Sequence, residues 1–194
     1  GGAFNAAREE MLLSFELGQY LAKSNTNPVW SRDGAGFNLG SVGAFLILES
    51  EHHARSRNVE PYAKITATTA DHGPRSDGQA QSRMEKMVST LSPPEDLAIL
   101  SGATGCGGIT DEETAFLSSR FPQAPVRAIG SKFGHAVEAQ FPLGIALAAL
   151  AVKHGAFYPP FDPTEAAASD EPHSFLVTTA GHWRAEGFGL VEPL

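Results

Sequence analysis

From Val137 to His154 the chain reads as one long helix, rich in alanine and apolar almost all round. A helix with no polar face cannot lie on a surface, so it has to be buried between layers. Its longest apolar run, Pro142 to Val152, is well short of the roughly 18–20 residues of a membrane span. The remaining segments must therefore supply the covering layers. Candidate strands are Phe45 to Leu48, Tyr62 to Thr69, Leu97 to Leu100, Val126 to Ile129, Phe175 to Thr179 and Phe188 to Val191. The first of these is apolar throughout and is expected to be buried on both faces. Tyr62 to Thr69 alternates, with β-branched residues, as a half-exposed strand does.

Helical patterns fall between these strands. Arg8 to Lys23 places Met11, Leu12, Phe15, Leu17 and Leu21 near one face, with Ser24-Asn25 as the stop. Glu51 to Arg57 is a short charged helix or turn, and Gln81 to Leu91 is amphipathic. Thr110 to Arg120 begins with Thr110 as N-cap and Glu113 three residues later, the spacing of a capping box. Asn25 to Gly36 and Asp71 to Gln79 are turn or loop segments. Strands alternating with helices predict α/β layers around a mixed sheet. With no clear linker, residues 1–194 are expected to form one unit.

Charge narrows the partners. The chain carries 14 Lys+Arg against 22 Asp+Glu, a net charge of -8. Phosphate backbones and anionic lipid surfaces are held by clustered basic residues, so neither nucleic acid nor a membrane is an expected partner. Cys106 is the one cysteine, which excludes an intrachain disulfide and a cysteine-based zinc site. A reducing, cytoplasmic compartment is the corresponding expectation. The start, Gly1-Gly2-Ala3-Phe4-Asn5, has neither an initiator Met nor the pattern of a signal peptide. A processed product or a fragment is expected.

Three stretches in order carry a family likeness. The first is Asp33-Gly34-Ala35-Gly36-Phe37-Asn38-Leu39-Gly40-Ser41-Val42-Gly43-Ala44-Phe45-Leu46-Ile47-Leu48-Glu49, followed by Glu51-His52-His53-Ala54. The second is Gly134-His135 ahead of the alanine-rich helix, and the third is Phe157 to Phe161 with its paired prolines. Gly1-Gly2-Ala3 adds a fourth point of likeness. Together they resemble the C-terminal half of a β-ketoacyl-acyl-carrier-protein synthase, a condensing enzyme of the thiolase-like fold. The resemblance covers nearly the whole chain. It implies Claisen condensation of acyl and malonyl thioesters in fatty-acid biosynthesis, specialised long-chain synthesis included. It implies acyl carrier protein as partner, no metal and no cofactor. It also implies an N-terminal half, upstream or on another chain, bearing the cysteine nucleophile, and a homodimer or a heterodimer with a ketosynthase.

The family's chemistry uses an acylated cysteine, two histidines, a lysine and a glycine-rich gate near the C-terminus. In this chain the resemblance places His135 at the second histidine, the catalytic candidate. Gly134, Gly181 and His182 are the substrate-binding candidates. Ala103 falls at the first histidine, and Gly130 at the lysine, with Lys132 the nearest alternative. The gate reads Gly181-His182-Trp183-Arg184, bulky where the family has glycines. A non-catalytic partner resembling a chain-length factor, shaping the acyl tunnel of an active homologue, is therefore the alternative.

Other candidates have plainer readings beside sharper ones. His135 is either catalytic or a backbone-satisfied histidine ahead of a helix. Cys106 is a substitute nucleophile or a small residue in a tight turn, and the turn is favoured. His52-His53 with Glu49 and Glu51 is a metal site or a solvated surface, and the surface is favoured because adjacent helical residues diverge. His182 with Arg184 forms a new polar site or fills a closed gate. Gly102 to Gly108 lacks the Gly-Lys-Ser/Thr ending of a phosphate loop.

Overall fold

Strands β1 (Gly2–Phe4) and β2 (Val42–Ala44) pair antiparallel and bracket helix α1 (Glu9–Leu17) in sequence. They are followed by α2 (Glu51–Ser56), β3 (Lys64–Asp71), α3 (Gln79–Leu91), β4 (Leu97–Ser101), α4 (Ile109–Arg120), β5 (Val126–Ala128) and α5 (Gly130–Phe133). A 3-10 turn, Val137–Ala139, leads into α6 (Gln140–His154), then β6 (Ser174–Ala180) and β7 (Glu186–Glu192) close the chain. The computed structural model describes residues 1–23, 28–32, 35–168 and 172–194.

The main sheet has the order β3-β7-β6-β4-β5. β4 runs parallel to β5 and β6, while β7 is antiparallel to both β6 and β3. The sheet is mixed, as the alternating pattern predicted. All of β4 is buried because both faces are covered. Leu97 and Ile99 join Leu176 and Phe188 under α3 and α4. Ala98 and Leu100 join Phe175, Val177 and Val191 under α6. The period of two sorts one strand's residues into two cores. Each fully buried Leu, Ile, Val or Phe contributes about 1.5–3 kcal/mol through area removed from water. α3 buries Ala80, Met84, Met87, Val88 and Leu91, the stripe of a helix with one covered face.

α6 packs on the sheet through Leu143, Ile145, Ala148 and Ala151. Its closest approach is at Gly144, where a Cβ would stand 2.5 Å from Val177 Cγ1. Only a residue without a side chain lets the backbones come that near. The expected burial of α6 is nonetheless incomplete, since Leu150 remains 38% exposed.

Four expectations need correction. The helix placed over Arg8 to Lys23 stops at Leu17. Gln19 turns to φ +57°, and the chain beyond it pairs with Phe37 instead, through Phe37 N–H to Tyr20 O (2.9 Å) and Ala22 N–H to Phe37 O (3.0 Å). The apolar run Phe45 to Leu48 is no strand; the strand precedes it, and Phe45, Ile47 and Leu48 are 76%, 93% and 73% exposed. Of the run, Leu46 alone packs against the core under α6, while the other three side chains point away from it. α4 begins at Ile109, with the Asp111 carboxylate accepting from Gly108 N–H (3.2 Å). Glu113 is taken up by the core instead of a capping box. The long helix starts at Gln140, because Val137 adopts φ +48° and breaks the α-helical path. The Ser24-Asn25 stop and Asp33-Gly34 lie outside the described residues.

Candidate functional site

His135 is held by backbone, two residues ahead of the 3-10 turn and five before α6 begins. Its N–H donates to Asn38 O (2.7 Å), and its carbonyl accepts from Gly40 N–H (3.0 Å). This crossing requires glycine on both strands. A Cβ at Gly40 would lie 1.5 Å from Phe133 O, and one at Gly134, where φ is +69°, would lie 2.8 Å from Gly40 N. Glycine at 134 is therefore what lets the two segments cross beside the histidine.

The second wall comes from the β6–β7 turn. Gly181 N–H donates to Ala185 O (2.8 Å) and closes the turn. A Cβ at Gly181 would meet Arg184 O at 2.4 Å. Arg75 grips the outside of the turn, donating to Gly181 O, to Ala185 O (3.4 Å) and to the Glu186 carboxylate. Arg83 donates to the same carboxylate at 2.9 Å. This clamp presents His182 and Trp183 toward the first wall. His182 packs on Tyr20 (ring centroids 4.6 Å), Trp183 (5.0 Å), Phe37 (5.5 Å) and Phe15 (6.1 Å). Trp183 Nε1–H donates to Tyr20 Oη at 2.5 Å.

The two histidines meet here. His135 lies 4.7 Å from the Phe37 ring and 5.9 Å from His182. His135 Nδ1 and His182 Nε2 are buried, and neither has a hydrogen-bond partner among the described residues. Burial, and then the neighbouring His182, push the His135 pKa down to about 4. Burial, and then the charge of Arg75, also lower that of His182. Both shifts favour the neutral ring. The four site candidates thus converge, but Arg184 is exposed and Arg75 is the cation beside His182.

The remaining candidates do not join the cluster. Ala103 is 3% exposed, packs with Val29 and Ala128, and offers no side-chain donor. A Cβ on Gly130 would stand 2.8 Å from Ala103 O. Lys132 is exposed, with its ammonium 5.8 Å over the Phe161 ring. Cys106 is buried in its turn, its N–H donating to Thr104 Oγ1 (3.2 Å), and burial raises its thiol pKa. That direction opposes a nucleophile, which needs the thiolate. His53 Nδ1 contacts Glu49 at 2.7 Å, and Glu49 and Glu51 also pair with Arg57 and Arg55. No group of three or more His, Cys, Asp and Glu residues able to hold a metal occurs among the described residues. A cleft of about 700 Å³ opens elsewhere, between Trp30, Arg32, Gly107 and α4, and neither histidine lines it.

Phe15, Tyr20, Arg75, Arg83 and Glu186 were absent from the sequence candidates. The Phe15 and Tyr20 rings were concealed within a pattern that reads as one helix. The clamp joins residues far apart in sequence, and no local spacing signals it.

No family model matches this chain. It is 33% identical over 138 residues to the oxytetracycline polyketide putative beta-ketoacyl synthase 1 of Streptomyces rimosus, a match spanning 64% of this chain and 32% of that protein. Three solved structures share its fold over its whole length. The ishigamide ketosynthase/chain length factor superposes with a TM-score of 0.79 at 18% identity, covering 53% of that chain. AntDE:AntF, described as a type II PKS acyl-carrier protein in complex with its ketosynthase, gives 0.80 at 17% identity and 55%. The oxazolomycin ketosynthase domain OzmH KS7 of Streptomyces albus JA3453 gives 0.80 at 15% and 40%. The chain spans about half the length, or less, of these relatives.

Proposed function

We propose that this chain, a homologue of the thiolase-like condensing enzymes, is the C-terminal half of a ketosynthase-like protein that handles carrier-bound acyl thioesters with condensation lost or severely weakened. Its place would be the chain-building stage of polyketide or fatty-acid synthesis, where it acts as a partner resembling a chain-length factor. One observation carries this reading: a Cβ on Gly130, where the resemblance puts the lysine, would stand 2.8 Å from the carbonyl of Ala103, which at the place of the first histidine offers no side-chain donor. Decarboxylating a malonyl thioester builds charge on its oxygen, and losing one positioned donor costs roughly 100–1,000-fold in rate.

Acyl carrier protein is the proposed docking partner. An N-terminal half is the proposed cover for the exposed Phe45, Ile47 and Leu48, and a homodimer or a heterodimer with an active ketosynthase is the proposed assembly. The retention of His135 in a buried site favours the second reading, an active condensing enzyme. Malonyl decarboxylation and acyl elongation on carrier protein, measured with the full-length assembly, separate the two. Expected is carrier-protein binding with little or no turnover. Turnover of about 1 per second or faster, abolished by His135→Ala, overturns the partner reading.

A further inference from the structure

The peptide that joins His135 to Ala136 is held at both of its polar atoms. Its oxygen accepts from Gly40 N–H at 3.0 Å. Its N–H donates to a side chain, Gln140 Oε1, also at 3.0 Å. A planar peptide held on one side can still swing about that bond, whereas two bonds on opposite sides fix the plane. The plane sets the direction in which the His135 side chain leaves the backbone. Gln140 is 3% exposed and opens α6. That helix is seated on the sheet through Leu143 and through Gly144, where a Cβ would stand 2.5 Å from Val177 Cγ1. One amide therefore ties the histidine's segment to a closely packed helix.

The stretch between them is strained. Val137 has φ +48°, an outlier for a β-branched residue, and such a conformation persists only where its surroundings over-determine it. Two bonds span it, Ala139 N–H to Ala136 O (2.9 Å) and Ala136 N–H to Gln140 Oε1. The other amide atom, Gln140 Nε2, is buried with no partner among the described residues. Turning the amide round would set donor against donor, so Nε2 stays unpaired. An apolar side chain of the same length would remove that unpaired donor and create another, since Ala136 is fully buried and its N–H would lose its acceptor. Trading one unpaired buried donor for another is close to neutral for stability. What the glutamine decides is where the peptide lies.

We infer that Gln140 is a positioning residue for His135: its side-chain carbonyl fixes the peptide after the histidine and so sets where the imidazole lies against Phe37 and His182. The ring centroids are 4.7 and 5.9 Å away. Gln140 acts through His135 and touches no ligand in this role. The placement of the ring stands by itself, and its weight for acyl binding rests on the acyl-thioester reading above.

The test uses the full-length assembly, with histidine and phenylalanine labelled for NMR. Gln140→Met keeps the length and removes the acceptor, and Gln140→Glu restores an acceptor oxygen. Met84→Ala, which opens the core under α3 away from the histidines, serves as a control for lost stability. The expected result is that Gln140→Met weakens the ring-to-ring signal between His135 and Phe37, and that Gln140→Glu recovers it. Met84→Ala leaves that signal intact while lowering the urea midpoint. A pantetheine-linked acyl amide, which cannot transfer its acyl group, should bind Gln140→Met about tenfold more weakly, the scale of one displaced hydrogen bond, and Gln140→Glu nearly as well as wild type. If the ring signal is unchanged in Gln140→Met, the amide is a helix cap alone and the inference fails. It fails equally if Gln140→Glu does not recover the signal, or if Met84→Ala loses it too. If the ring moves as expected and the probe binds all forms equally, the inference stands and the acyl reading of His135 fails.

Discussion

Gly130 lies against the carbonyl of Ala103, with so little room that a Cβ would come within 2.8 Å of the oxygen. The two positions that the resemblance matches to the lysine and the first histidine therefore pack directly on one another. β5 delivers Gly130 from one side, and the loop after β4 delivers Ala103 from the other. Ala103 N–H is already committed to Ser101 Oγ (3.0 Å), which fixes the loop further. Restoring the lysine as Gly130→Lys should cost about 1–3 kcal/mol through overpacking, and Ala103→His alone should restore no condensation. Urea unfolding of Gly130→Lys and a malonyl decarboxylation assay of Ala103→His check the pair. An unchanged midpoint in the first, or turnover in the second, contradicts the arrangement.

The buried Glu113 should act in the opposite sense to an ordinary carboxylate. It is 1% exposed, and its Oε1 accepts from Ser101 Oγ (2.7 Å) and Thr178 Oγ1 (2.6 Å). Burial raises its pKa, with the two hydroxyls opposing that shift. A raised carboxyl pKa means that its stabilising contribution is complete below the unfolded value. It is lost as pH rises toward the folded value, because the unfolded chain releases the proton first. Glu113→Gln keeps the acceptor oxygen without the ionisation. It should match wild type at low pH and exceed it in stability at neutral pH. Glu113→Leu leaves two buried hydroxyl donors without their acceptor, at about 1–3 kcal/mol each. Denaturation at two pH values checks both variants.

Much of this was legible from sequence for physical reasons that can be located. The two-sided burial of Leu97 to Leu100 follows from a strand apolar at every position, and the mixed sheet follows from its neighbours. Gly134-His135 and Gly181-His182 were singled out by the family resemblance, and the close backbone approaches at both glycines explain why no side chain stands there. What sequence hid was long-range. Glu113 sits three residues after a threonine, so the capping-box spacing matched, yet two hydroxyls from different strands claim its carboxyl. Tyr20 fell inside a helical pattern, but its ring completes the wall against His182 and Trp183.

Acid should destabilise the site through His135. Its pKa is lowered by burial, then by His182, from 6.5 to about 4. Above 6.5 both folded and unfolded states are neutral there and the group contributes nothing. As pH falls below 6.5 the unfolded chain takes up a proton that the folded site refuses, so stability declines until about pH 4. A shift of this size corresponds to about 3 kcal/mol. His182 is shifted in the same direction, by burial and then Arg75, and adds to the decline. Glu113 changes in the opposite direction with pH and is left intact as an internal reference. His135→Phe keeps the ring and removes the titration, so its stability should fall less than that of wild type between pH 6.5 and 4. Equal declines in the two proteins would show that His135 is not the group refusing the proton.

The exposed row Phe45, Ile47 and Leu48 makes the last prediction. Apolar side chains scattered singly on a surface need no partner, but a contiguous apolar patch does. Here three residues within four positions are 73% or more exposed, immediately after β2. Leu13 and Leu17, 61% and 77% exposed, add apolar surface on α1. Covering one such side chain is worth about 1.5–3 kcal/mol, so replacing Ile47 with a charge should weaken association at this surface by tenfold or more. Ile47 touches no core in this chain, so Ile47→Asp should leave its unfolding midpoint unchanged. The two readouts separate a partner surface from a folding residue. Sedimentation of wild type and Ile47→Asp, together with the proposed N-terminal half, measures the first, and urea unfolding measures the second. A wild-type chain that sediments alone as a stable, monodisperse 20.5 kDa species, and ignores the N-terminal half, would show that this surface needs no cover.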